Sequence, residues 1–177
     1  MQRPGDGSSV VTDAVIGAVA GAAAVWVMDR VDWFNFLHVV PSEARRRTQA
    51  VRPGGMDPAH VAADKIATAA GYDLEPKGNN PVGQAVHYSV GIAPAVLYSV
   101  LRRRTPAVTA GHGSLFGLGF FLVEDEGLNT LTGLSAPQGA YPWQAHARGL
   151  AAHLAYGVAT ELALNAAEKA LGRRAEG

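Results

Sequence analysis

The stretch VVTDAVIGAVAGAAAVWVM, Val10 to Met28, decides how this chain is read. Its one ionisable side chain is Asp13, and its length matches the roughly 17–25 residues a helix needs to cross a bilayer. Three later runs share that character: VGQAVHYSVGIAPAVLYSVL (Val82–Leu101), AVTAGHGSLFGLGFFLV (Ala107–Val123) and GLAAHLAYGVATELALNAA (Gly149–Ala167). The second carries no charge except on His87, the third has no formally charged residue, and the fourth holds Glu161 and His153. Together they predict an all-α fold, an integral membrane bundle of four transmembrane helices over about 10–28, 82–101, 107–124 and 146–167. A soluble, Ala-rich helical bundle competes with it, because Ala and Gly make transfer into lipid only modestly favourable. For the first run a signal peptide with Ala22–Ala24 at its cleavage site is a further alternative.

The whole chain sets bounds on these readings. Its 177 residues suit one domain, here 10–171 between tails at 1–9 and 172–177. Hydrophobic residues are 48% and charged ones only 17%, against roughly a quarter in ordinary soluble domains. Cysteine is absent, which excludes disulfides, thiolate metal sites and a Cys nucleophile. Zero net formal charge argues against nucleic acid as a partner.

Local signals add to the membrane reading. Trp26, Trp33, Phe34, Phe36, Tyr141 and Trp143 flank the runs as interface anchors do. Gly17 with Gly21, and Gly113 with Gly117, recur at the four-residue spacing that lets helices approach closely in lipid. Four short helices cannot satisfy all such faces internally, so a homo-oligomer or a place in a membrane complex is expected. Arg102–Arg104 and the basic residues after the fourth run put the C-terminus in the cytoplasm, whereas Arg45–Arg47 in the extramembrane segment 30–81 disagree. Within that segment, Met56–Tyr72 reads as a short amphipathic helix with Asp57 as N-cap, Pro58 at its first position and Gly71 closing it.

The acidic triplet Glu124, Asp125 and Glu126 follows the third run, at a helix end where the macrodipole disfavours negative charge. No Lys or Arg lies between Thr105 and Ala147, so neutralisation is expected from other helices, by Arg148 and the histidines. Helical geometry puts His146, His153 and Glu161 on one face of the fourth helix, and His112 with Glu126 on one face of the third. The predicted polar seam is His87, His112, Glu124, Glu126, His146, Arg148, His153 and Glu161, with His112 meeting Glu161 in an inner layer. Each member also has a plain structural reading, as a solvated helix end, interhelical glue or a snorkelling side chain. Asp29, Arg30 and Asp32 read as an interfacial ion cluster, with local pairing as the plain alternative. His146 and His153 stand about 10.5 Å apart along their helix, too far to share a metal ion. No hydrolase, phosphate-loop or zinc-helix motif occurs, so neither catalytic residues, cofactor nor metal are expected.

The segments IGAVAG (Ile16–Gly21), HYSVGIAPAVLYSVL (His87–Leu101), GLSAPQGAYPW (Gly133–Trp143) and AHLAYGVATE (Ala152–Glu161) resemble the YagU-like family of small bacterial inner-membrane proteins, whose activity is unassigned. The resemblance implies a multi-pass protein of the bacterial inner membrane and supplies no catalytic residues. The functional expectation comes from the residues themselves: proton or cation movement, or a pH response, through the His/carboxylate seam. The alternative is an accessory membrane subunit whose polar residues lock helix packing.

Overall fold

Val10 to Met28 forms a helix longer than its apolar run. Helix α1 spans Asp6–Phe34 and continues as a π turn, Asn35–Val39, before Pro41 ends it. The Arg45 guanidinium donates to the carbonyls of Phe36 and Leu37 (3.0 and 2.7 Å) and satisfies backbone groups the helix end leaves open. The structure, a computed structural model, describes residues 6–172, with side chains from Val10 onward except that of Pro106. Residues 1–5 and 173–177, most of the two expected tails, lie outside the described residues. Among those described there is helix and turn but no strand.

Two helices, rather than one, fill the segment after α1. The expected amphipathic helix is α3 (Pro58–Ala69), with Asp57 as N-cap accepting from the His60 N–H at 3.1 Å, and Gly71 just past its end. It is preceded by α2 (Ser42–Val51), whose sequence SEARRRTQAV buries only Ala44 and Thr48 and so shows little apolar periodicity. Helix α4 (Pro81–Leu101) begins at Asn80, whose side chain accepts from the Gly83 N–H at 2.8 Å.

The third run departs most from expectation. Residues 107–113 are not a helix: Pro106–Thr109 is a 3-10 turn, and Gly111, His112 and Gly113 all have positive φ. Three successive left-handed residues cannot continue a right-handed helix. Helix α5 (Ser114–Phe120) therefore starts late, then widens into a π stretch, Phe121–Leu128, and ends as α6 (Asn129–Leu131). The acidic triplet lies inside this continuous segment rather than at its end. Helix α7 (Trp143–Ala170) completes the bundle.

Contacts at both ends fix the directions. Near one end Ser99 Oγ donates to the Asp13 carbonyl (2.7 Å), and near the other His87 meets Asp29 (2.8 Å), so α4 runs antiparallel to α1. The same argument makes α7 parallel to α4 and α5 antiparallel to α7. Glycines set the spacing. A Cβ on Gly17 would lie 2.9 Å from Val96 Cα, and one on Gly21 would lie 2.7 Å from Ala95 Cβ. Gly117 faces the His153 carbonyl, while a Cβ on Gly157 would lie 2.9 Å from Gly117 Cα. These small-residue faces are consumed within the chain, so they no longer argue for an oligomer. Between them sits a core of fully buried Ala24, Val25, Ala95 and Tyr156, with Phe116 and Phe120 packed against it.

By length and composition, one segment of the described residues, Val10–Val39, suffices to cross a membrane. The four-span bundle expected from sequence is thus reduced to one candidate span within an all-helical protein.

The glycine packing separates two neighbouring substitutions. Gly117→Ala should destabilise by about 1–3 kcal/mol, since its methyl meets the α7 backbone. Gly119→Ala, with nothing within 4 Å, should instead stabilise by about 0.5–1 kcal/mol through helix propensity. Thermal unfolding followed by far-UV circular dichroism reads both.

Candidate functional site

A cavity of about 970 Å³ occupies the end of the bundle where α1 finishes and α4 and α7 begin, with α2 and α3 on its outer side. The π stretch gives it its character. A π helix is wider than an α helix, so successive side chains fan out by less than about 100°. All three acids of the triplet consequently turn toward α7. Glu124 approaches His153 Nε2 (3.8 Å) and accepts from Asn129 (3.0 Å), and Glu126 meets His146 Nδ1 (2.6 Å). Asp125 lies against Gly149, where a Cβ would stand 2.7 Å from its Oδ2. Glycine at 149 is what leaves room for that carboxylate.

Two further pairs join other helices across the same cavity. His87 Nε2 meets Asp29 Oδ1 at 2.8 Å, and Arg148 donates to Asp32 at 2.6 Å. Arg148 therefore serves Asp32 rather than the triplet, and Glu124 and Glu126 face histidines instead. Asp29, Arg30 and Asp32 do not pair with one another, which removes the local-pairing alternative. Successive residues on a helix point apart, and each finds its partner elsewhere, with Arg30 over the Trp26 ring at 5.0 Å.

Hydrogen-bond chemistry fixes what the histidines can do. The Nδ1 of His153 faces the Gly149 carbonyl (2.9 Å), which only accepts, so Nδ1 carries hydrogen. Its Nε2 is left to take a proton beside Glu124. His146 faces the Gln138 carbonyl with Nε2 (3.2 Å) and Glu126 with Nδ1 (2.6 Å). Both nitrogens see acceptors, so the close Nδ1–Oε1 contact must hold a proton of its own. Gln138 in turn donates to the Glu126 carbonyl and fixes the loop that carries it.

Of the predicted seam, His87, Glu124, Glu126, His146, Arg148 and His153 meet at this cavity. His112 and Glu161 do not. His112 lies in the turn before α5, with φ +54° and an exposed side chain, and it does not meet Glu161. Glu161 is 6% exposed and sits deeper along α7, accepting from Tyr98 (2.7 Å) and Arg102 (3.1 Å). Arg103 pairs there with Asp13 (2.9 Å) and Glu168 (3.5 Å). This second ion cluster ties α1, α4 and α7 at the far end. Between the two lies an aromatic layer, Tyr98 stacked on Phe116 at 4.3 Å, with Tyr156 and Phe120 alongside. Tyr156 turns its hydroxyl sideways, donating to the Gly91 carbonyl (2.6 Å).

Sequence reasoning left Asp29 and Asp32 outside the site, although both lie on the face of α1 that α4 and α7 cover. It also missed His60, whose ring meets Asp57 (2.8 Å) and packs over Gly83. The spacing of Asp57 and His60 one helical turn apart is the signal that could have found this pair. No group of three or more His, Asp or Glu among the described residues is arranged to hold a metal ion. Comparison with protein-family models, curated proteins and solved structures found no match.

Two predictions follow from these pairs. Burial opposes ionisation of Asp57, but hydrogen bonds from the His60 ring and backbone N–H outweigh it and hold the carboxyl below its ordinary value. A depressed carboxyl adds stability that is complete above about pH 4 and drains away as pH falls through the lower folded value. Asp57→Asn should therefore be less stable than the parent at neutral pH, with the gap closing below about pH 4 in acid-unfolding curves. Glu161→Ala leaves Arg102, whose side chain is 9% exposed, without its closest carboxylate. Chemical denaturation should show a loss of roughly 3–5 kcal/mol, whereas a residue serving only as an ion relay would leave stability nearly unchanged.

Proposed function

We propose that this is a multi-pass protein of the bacterial inner membrane, akin to the YagU-like proteins, whose working part is the chamber as a proton-uptake and pH-responsive site. The single observation that carries the function is the convergence of three histidine–carboxylate pairs that join different helices, His87–Asp29, His146–Glu126 and His153–Glu124, on one cavity that the His60–Asp57 pair also lines. Histidine is the side chain whose ordinary titration falls between about pH 5 and 8, so a cavity built on such pairs changes charge where cells live. Opening or closing a pair that bridges two helices gives protonation a mechanical consequence.

The membrane setting draws support from the surface of the bundle. Val11, Val15, Val19 and Trp26 of α1 are more than half exposed, as are Leu97 of α4, Leu122 of the π stretch and Leu162 of α7. Only 33% of the most apolar window of α1 is buried, whereas a soluble core helix would be mostly covered. The aromatic layer between the chamber and the Glu161 cluster favours uptake from one side over conduction through a single chain.

Fluorescence of Trp33, which lines the chamber, should titrate between about pH 5 and 8 in the purified protein. His87→Asn, His146→Asn and His153→Asn should each remove part of that titration. A flat profile in the parent protein would sink the proposal. One observation favours the accessory-subunit reading: each pair also bridges two helices. On that reading the same variants lower the melting temperature and leave no pH response to lose.

A further inference from the structure

The chamber's carboxylates are almost all committed to a His or Arg partner. Asp29, Asp32, Asp57, Glu124 and Glu126 each have a His or Arg partner. Two half-buried groups on the cavity wall differ: the side chains of Asp125 and Arg52 make no hydrogen bond or ion pair among the described residues. Both share the cavity wall with Arg148 and act on it electrostatically.

Opposite charges sharing one cavity normally close on each other. Here no ion pair joins them, and they sit on different elements. Asp125 sits on the π stretch, in the notch left by Gly149, and Arg52 caps the end of α2 as the chain turns through Pro53–Gly55. A carboxylate accepts ammonium hydrogens, and a guanidinium fork matches an oxyanion. The cavity's volume lies within the range of small-molecule sites, and Trp33 and Phe36 give it apolar wall.

We propose that the chamber binds a small zwitterion, with its primary ammonium on Asp125 and its carboxylate or phosphate oxyanion on Arg52. A simple anion would face the surrounding carboxylates, and a simple cation would leave Arg52 unanswered. The chemistry fits a free amino-acid-like molecule or the headgroup of an aminophospholipid. The proposal rests on the chamber being the functional site. It adds a ligand to a cavity that takes up protons.

Isothermal titration of the purified protein in detergent with O-phosphoethanolamine, ethanolamine and inorganic phosphate tests this directly. O-phosphoethanolamine should bind more tightly than either fragment. Asp125→Asn and Arg52→Gln should each weaken it by about tenfold or more, the loss of one charge-assisted contact. Asp125→Asn should weaken ethanolamine but not phosphate, and Arg52→Gln the reverse. Unchanged circular dichroism and melting temperature mark each variant as folded, and Arg52→Lys, which keeps the charge, should retain part of the affinity. Nanodiscs of phosphatidylethanolamine, but not of phosphatidylglycerol, compete with the soluble probe if the source is a lipid headgroup. Absence of such competition assigns the site to a free zwitterion. No binding of O-phosphoethanolamine, or binding indifferent to both substitutions, overturns the proposal. If the Trp33 titration persists in that case, the ligand is lost and the proton-uptake reading stands.

Discussion

The approach of α5 to α7 is the constraint on which the rest of the molecule depends. Gly113, Gly117 and Gly157 let two backbones meet where side chains would hold them apart. That closeness brings the π stretch against the first half of α7. Without it, Glu124 and Glu126 would not reach His153 and His146, and the triplet would be a charged patch without partners. The π geometry is the second half of the same device. It turns three consecutive acids toward one neighbour, which an α helix with its 100° step spreads more widely. π segments recur at functional sites in other proteins, and here the reason is visible in the contacts.

Much of the fold was legible because helix ends obey local rules. Asp57-Pro58 announces its helix by a side-chain cap and by Pro in the first turn, and it falls where the sequence puts it; Asn80-Pro81 starts α4 by the same rule. Glycines at four-residue spacing marked the real packing faces, though the partner surfaces proved to be within the chain. Helix α2 was missed because it is held through Arg45 and two small buried residues rather than an apolar stripe. The start of α5 was misjudged because apolar composition persists through Gly111–Gly113, where only backbone conformation ends the helix.

The site was legible as an inventory and less so as a map. Residues of one helix face were correctly grouped for His146 and His153, because one face of α7 meets one neighbour there. Glu161 shares that face by angle but lies some two turns further along, at a level where α4 supplies Tyr98 and Arg102. Rotation about a helix is readable from sequence, whereas the identity of the neighbour at each level is a tertiary fact. The same gap hid Asp29 and Asp32, whose partners lie on α4 and α7, 58 and 116 residues further along the chain.

The two ion clusters differ in a way that assigns them different work. At the Glu161 end the carboxylate, Arg102, Tyr98 and Asn165 form a nearly saturated network beside fully buried Thr160 and Leu164. Arginine keeps its charge at any pH the protein meets, so that cluster has no state to switch to. At the chamber end histidines partner most of the carboxylates, the pairs border open volume, and Asp125 and Arg52 stay unpaired. A bundle locked at one end by arginine and pinned at the other by histidine has its freedom at the histidine end. Loosening one histidine pair can shift α7 against the π stretch, or α4 against α1, there while the aromatic layer and the Arg102 network hold the far end in place. Proton uptake, ligand capture and helix movement would then be three aspects of one event confined to one end of the molecule.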